Sequence, residues 1–173
     1  IFGLGPIGLL IVEALRAAGA SKIYAVELSP ERQAKAEELG AIVVRPEEGE
    51  TVVEAIHRLT GGGADVSYEV TGVPVVLGQA LAAVHKAGEC MVVSIWEREA
   101  SINPNEFAIQ EKSLKGIIAY RHIFPKVLEL MEQGYFPADK LVTKKIKLEN
   151  IVEEGFVELT QDKSQIKILV QPE

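Results

Sequence analysis

The 173-residue sequence has a single cysteine, Cys90, so no disulfide can form within the chain. With no secretory leader recognisable, that scarcity leads us to expect a protein of the reducing cytoplasm. No apolar run reaches the roughly 20 residues that a helix needs to cross a bilayer. Positive charge is in deficit, the formal net charge being −7. This balance argues against partners held by bulk electrostatics, nucleic acid and anionic membrane included. The three histidines, His57, His85 and His122, are scattered, and together with Cys90 they show no metal-site spacing. Cys90 reads as a core residue, and the histidines as surface, capping or local structural groups. No Ser/His/Asp set and no paired-carboxylate arrangement is visible. No catalytic residue and no metal ligand is assigned.

Apolar residues make up 47% of the chain and charged residues 25%, the balance of a folded domain with a sizeable core. The opening stretch Ile1-Phe2-Gly3-Leu4-Gly5-Pro6-Ile7-Gly8 reads as a strand, a glycine turn and a helix start, with the spacing G-x-G-x-x-G. Gly3 allows a tight turn. Gly5 lets a pyrophosphate approach the backbone, and Gly8 lets helix pack on strand. Helix N–H groups and the helix dipole then hold phosphate without a basic side chain. Only Ile1-Phe2 precede the first glycine, short for a strand of about five residues, so we expect a piece of a longer protein.

Strand and helix signals then alternate. Ile7, Leu10, Ile11, Ala14, Leu15 and Ala18 follow a helical period, stopped by Gly19. Lys22 to Glu27 reads as a strand, and Ser29-Pro30 opens a helix to Leu39. Ala41 to Val44 is a third strand. Thr51 and Glu54 form a capping box for the next helix, ended by Gly61-Gly62-Gly63. Ala64 to Val70 is a fourth strand, and Val73-Pro74 starts a helix running through Val84. Cys90 to Ile95 reads as a strand covered on both faces. Asn103-Pro104 opens a short helix, Leu114 to Tyr120 is a sixth strand, and Phe124, Val127, Leu128 and Met131 share a helix face closed by Gly134. This predicts an α/β fold, a doubly wound, mainly parallel six-stranded Rossmann sheet over residues 1–140. Residues 141–173 read as a β-α-β tail belonging with another domain.

Glu27 lies 19 positions after Gly8 at a strand end, where a carboxylate accepts hydrogen bonds from an adenosine ribose and repels a 2′-phosphate. NAD is therefore expected over NADP. Arg32 either lies against the adenine or is an ordinary exposed helix arginine. Thr71-Gly72, Ser94-Ile95-Trp96 and Tyr120-Arg121, at three later strand ends, are candidates for the nicotinamide half of the trough.

The motifs G-L-G-P-I-G-L, Y-E-V-T-G-V-P, V-S-I-W-E, I-A-Y-R-H-I-F-P, L-V-T-K-K-I and I-K-I-L-V resemble the cofactor half of the medium-chain, zinc-dependent alcohol and polyol dehydrogenases. The resemblance implies cofactor contacts at Gly3, Gly5, Pro6, Ile7, Glu27, Thr71, Val73, Ser94, Trp96 and Tyr120. It places Lys167 where members often carry a pyrophosphate-binding arginine, a point charge in place of a planar fork. It also implies a secondary alcohol or vicinal diol as substrate, with sorbitol-like polyols as the alternative. Zinc would be held by a separate amino-terminal domain, and a homodimer would form through strand 114–120. By itself the chain would bind NAD(H) without turning over alcohol. The rival readings are a non-catalytic dinucleotide-binding or redox-sensing module, and a methyltransferase-type nucleotide fold.

Overall fold

The computed structural model describes residues 1–162 and 164–172. Residues 163 and 173 of the expected tail lie outside it. The opening helix, α1 (Pro6–Ala17), has Gly5 as N-cap and proline in its first turn, and Gly19 follows it at φ +83°. Tyr24–Ala25 (β1) leads into α2 (Pro30–Glu38), whose Ser29 cap accepts the Arg32 N–H at 3.4 Å. Ile42–Val43 (β2) precedes α3 (Val52–Thr60). The capping box there is complete: Thr51 Oγ1 accepts the Glu54 N–H at 3.2 Å, and Glu54 accepts the Thr51 N–H at 2.8 Å.

The remaining elements of this part are β3 (Ala64–Glu69), α4 (Pro74–Ala82), β4 (Val84–Val92), α5 (Pro104–Gln110), β5 (Ser113–Gly116) and α6 (Phe124–Glu132). β1 pairs with β2, and β3, β4 and β5 pair in that order, all parallel. Phe2 makes one parallel bridge to Val26 and another to Glu69, so a single residue joins the two sheets. The architecture is α/β and Rossmann-like. The described strands fall into sheets of two, three and two rather than one sheet of six, because the first strand is reduced to the Phe2 bridge.

Several boundaries differ from the sequence expectation: β1 keeps only Tyr24–Ala25 of the expected 22–27, and β4 ends at Val92, short of Ile95. The helix predicted to run through Val84 stops at Ala82, since Val84 is already paired with Ala64. β4 therefore starts earlier and bulges at once: Asp65 faces the whole stretch His85 to Gly88, with Ala87 at φ +63°. The strand predicted for 114–120 ends at Gly116, with one further bond from the Ile117 N–H to the Val92 carbonyl at 3.1 Å. Beyond it Ala119 and His122 take left-handed conformations, φ +50° and +55°, which an extended run does not allow.

Buried side chains form two clusters. Leu4, Leu9, Val12, Ala36 and Leu39 pack with α1 and α2, whereas Phe2, Ala55, Ile56, Leu77, Leu81 and Cys90 pack with α3 and α4. Successive strand residues point to opposite faces, so two helix layers cover the strands from both sides. The buried face of α1 is not the one its apolar period suggested. Leu9 and Val12 are buried, while Ile7 and Leu10 stay exposed. α1 is apolar nearly all round, so periodicity alone cannot choose its inner face.

The tail begins with α7 (Ala138–Leu141) and β6 (Val142–Lys147). A 3-10 turn (Leu148–Asn150), a π-helical stretch (Ile151–Val157) and α8 (Glu158–Gln161) lead to β7 (Lys167–Gln171). β6 and β7 pair in parallel as a separate sheet. Leu141 and Ile166 nevertheless belong to the buried cluster of α1 and α2.

Candidate dinucleotide site

Each glycine of the opening turn has its own physical reason. Gly3 sits at φ +95°, where a Cβ would also lie 2.7 Å from the Thr71 methyl. A Cβ on Gly8 would lie 2.0 Å from the Gly3 carbonyl oxygen, so helix and turn touch through it. Gly5 is different. Its φ is −65°, and a Cβ there would meet nothing within 4 Å. Open space is what a ligand approaching the backbone requires. Among the described residues no side chain caps the first N–H groups of α1, which leaves the positive helix end facing outward.

Glu27, just past β1, is tied to this turn. Its Oε2 accepts the Leu4 N–H at 2.9 Å, and its Oε1 accepts the N–H groups of Leu28 and Ser29 at 2.8 and 3.0 Å. The carboxylate thus links the glycine turn to the start of α2 and keeps acceptor capacity on Oε2. Arg32 turns back to it, Nη1 lying 3.8 Å from Oε2.

The strand-end candidates are held together by Glu69, a residue the sequence analysis did not single out. Its fully buried side chain accepts from the Thr71 N–H at 2.7 Å, the Thr71 hydroxyl at 2.5 Å and the Gly72 N–H at 3.0 Å, all at Oε1. The Ser94 hydroxyl donates to Oε2. Thr71 Oγ1 then accepts the Val73 N–H at 3.1 Å. A glutamate between Tyr68 and Val70, at the end of a strand leading into Thr71-Gly72, was the available signal. Ile95 is exposed beside this set, its carbonyl 2.9 Å from where a Gly72 Cβ would stand.

The other candidates stand apart. Trp96 is partly buried against the α3/α4 cluster. Tyr120 is exposed and stacks edge-on against Phe124, ring centroids 5.2 Å apart, and Arg121 is exposed beside it. Lys167 lines an apolar groove together with Pro6, Ile7 and Leu10.

His57 Nε2 lies 2.9 Å from the Ala82 carbonyl, tying α3 to the end of α4. His85 stands near the Lys86 carbonyl and 3.3 Å from Asp65, and these partners raise its pKa above the ordinary imidazole value. Burial pushes the Cys90 thiol up as well, away from a ligand-competent thiolate. Among the described residues no group of three or more His, Cys, Asp or Glu side chains could hold a metal ion. No helix among them is long and apolar enough to cross a membrane.

Residues 6–133 match the model of a family described as zinc-binding dehydrogenase. The chain belongs to that family. The resemblance carried by its motifs is thereby borne out. It is 63% identical over 172 residues to the (R,R)-butanediol dehydrogenase of Bacillus subtilis, covering 99% of this chain and 50% of the relative. Against the crystal structure of 2R,3R-butanediol dehydrogenase from Bacillus subtilis the TM-score is 0.95. A sorbitol dehydrogenase of the same organism is 31% identical over 175 residues, covering 99% of this chain and 49% of that one. The chain thus spans about half the length of the curated relatives it matches.

Proposed function

We infer that this family member is the NAD-binding half of a zinc-dependent secondary-alcohol dehydrogenase whose substrate is a vicinal diol. The observation that carries the reading is the glycine turn, with Gly5 facing open space at an uncapped helix end and Glu27 bonded to its Leu4. In this reading the pyrophosphate lies over Gly3, Gly5, Pro6, Ile7 and Gly8, and Glu27 Oε2 takes a ribose hydroxyl. A 2′-phosphate would meet that carboxylate, so NAD is preferred over NADP. Arg32 holds Glu27 from the solvent side. Thr71, Gly72, Val73, Ser94 and Ile95 seat the nicotinamide half, with Trp96, Tyr120 and Arg121 at its margin and Lys167 near the phosphates.

Bound NAD supplies the hydride acceptor or donor at the carbinol carbon. Among the described residues no group of metal-ligating side chains fits zinc, and in this proposal its ligands come from a separate domain. The butanediol dehydrogenase relatives support a diol substrate. The sorbitol dehydrogenase relatives support the second reading, a longer polyol.

The strands belong to one parallel six-stranded sheet in this proposal, as the bridges from Phe2 to Val26 and to Glu69 support. Residues 1–140 are the cofactor domain and 141–173 a return segment, as the separate β6–β7 sheet supports. A homodimer forms through residues 114–120, along β5 and the segment that follows it, supported by the exposed Ile117, Ile118 and Tyr120. Its place is the cytoplasm, in keeping with one unpaired cysteine. Titration with NADH, NADPH and S-adenosylmethionine tests the reading. NADH should bind, NADPH at least tenfold more weakly, and S-adenosylmethionine should not compete. Competition by S-adenosylmethionine, or alcohol turnover by this chain without an added domain or metal, would overturn it.

A further inference from the structure

Glu69 takes no ligand in the proposed function, yet both its main chain and its side chain are held by the strands around it. Its main chain is bridged to Phe2 on one side, and its carbonyl accepts the Val93 N–H at 2.9 Å on the other. Its side chain is fully buried. A buried carboxylate contributes little net stability compared with a packed apolar residue, so core stability does not account for it. What it does show is where its bonds go. Among the described residues all its side-chain partners, Thr71, Gly72 and Ser94, lie at the ends of β3 and β4.

Those ends are in turn in contact with their neighbours. The Thr71 methyl closes against Gly3, and Gly72 closes against the Ile95 carbonyl. One carboxylate therefore sets the spacing between the glycine turn, the β3 end and the β4 end. The partners also all lie on one side of Phe2, the side opposite β1 and Glu27. The half of a dinucleotide beyond the pyrophosphate from the adenosine would rest on that side.

We propose that Glu69 is a positioning residue for the nicotinamide half of the bound cofactor, acting through Thr71, Gly72 and Ser94 and touching no part of the ligand itself. The inference rests on the dinucleotide reading and deepens it. A carboxamide in its place can still accept at Oε1, while its amide donates to a rotated Ser94 hydroxyl. Removing the group leaves four donors, on three residues, without their acceptor.

Calorimetric titration of the protein with NADH and with ADP-ribose, which lacks nicotinamide, tests this. Glu69→Ala should weaken NADH at least tenfold and leave ADP-ribose within twofold. Glu69→Gln should stay within threefold of the parent for both. Should Glu69→Ala not fold, Glu69→Asp, with the carboxylate drawn back by one methylene, carries the same test with an expected loss of at least threefold for NADH alone. Equal weakening of both ligands would mean general damage to the fold, and no weakening would mean no positioning role; either overturns the inference. If the parent protein binds neither ligand, the dinucleotide reading fails and this inference falls with it.

Discussion

The chain treats polar and apolar groups in opposite ways at the middle and at the β5 edge of the strand array. Around the glycine turn, Glu69 is fully buried and Glu27 largely covered, and apart from the Arg32 ion pair to Glu27 the hydrogen bonds their carboxylates accept come from backbone and hydroxyl groups. Between Ser113 and Gln133 no residue is fully buried, and Ile118 is 81% exposed, in company with Ile117, Tyr120, Phe124 and Leu128. Buried, satisfied polar groups mark a geometry that the chain holds by itself. A run of exposed apolar groups marks a surface made for contact.

The comparison breaks most readily at Gly8. Gly8→Ala forces a methyl against the Gly3 carbonyl, and overpacking of this kind should cost about 3 kcal/mol, read as a lower denaturation midpoint in urea. An unchanged midpoint would mean that the turn is not the tight contact described. Glu27→Ala comes next. Three N–H groups lose their acceptor, which should cost about 2 kcal/mol and weaken NADH binding at the same time.

On the open side the effect should run the other way. Ile118→Asp should change stability by no more than about 0.5 kcal/mol, because the side chain is exposed, while shifting sedimentation from dimer toward monomer. A parent chain that already sediments as a monomer at micromolar concentration would remove the dimer from the proposal. The smallest effect concerns His85. Its pKa is raised, so its contribution is fully present below the unfolded imidazole value and is lost as pH rises through the folded one. Asp65→Asn should lower that pKa in an NMR titration.

Much of this was legible because local chemistry decides it. Ser29-Pro30, Thr51 with Glu54, and Asn103-Pro104 each start a helix where their side chains can accept the first N–H groups. Gly19, Gly61 and Gly134 follow helices in left-handed conformations that residues with a Cβ resist. The rest depends on partners far along the chain. Which face of α1 is buried is set by packing against α2, Leu141 and Ile166, not by its own nearly uniform apolar sequence. Where β4 begins is set by pairing with Ala64, which leaves His85 to Gly88 as a bulge that no local signal announces. Glu69 was hidden inside a motif whose threonine and glycine drew attention instead. Its bond to the Ser94 hydroxyl exists only because β3 and β4 lie side by side.

Gly3 and Gly8 of the opening turn serve packing, whereas in the proposed function Gly5 serves a ligand. A Cβ at Gly5 meets no protein atom within 4 Å, and its φ suits any residue. Paired measurement of urea midpoint and NADH affinity for Gly5→Ala is therefore the most direct test. The midpoint should stay unchanged while NADH binding falls at least tenfold. NADH affinity equal to that of the parent chain would contradict it.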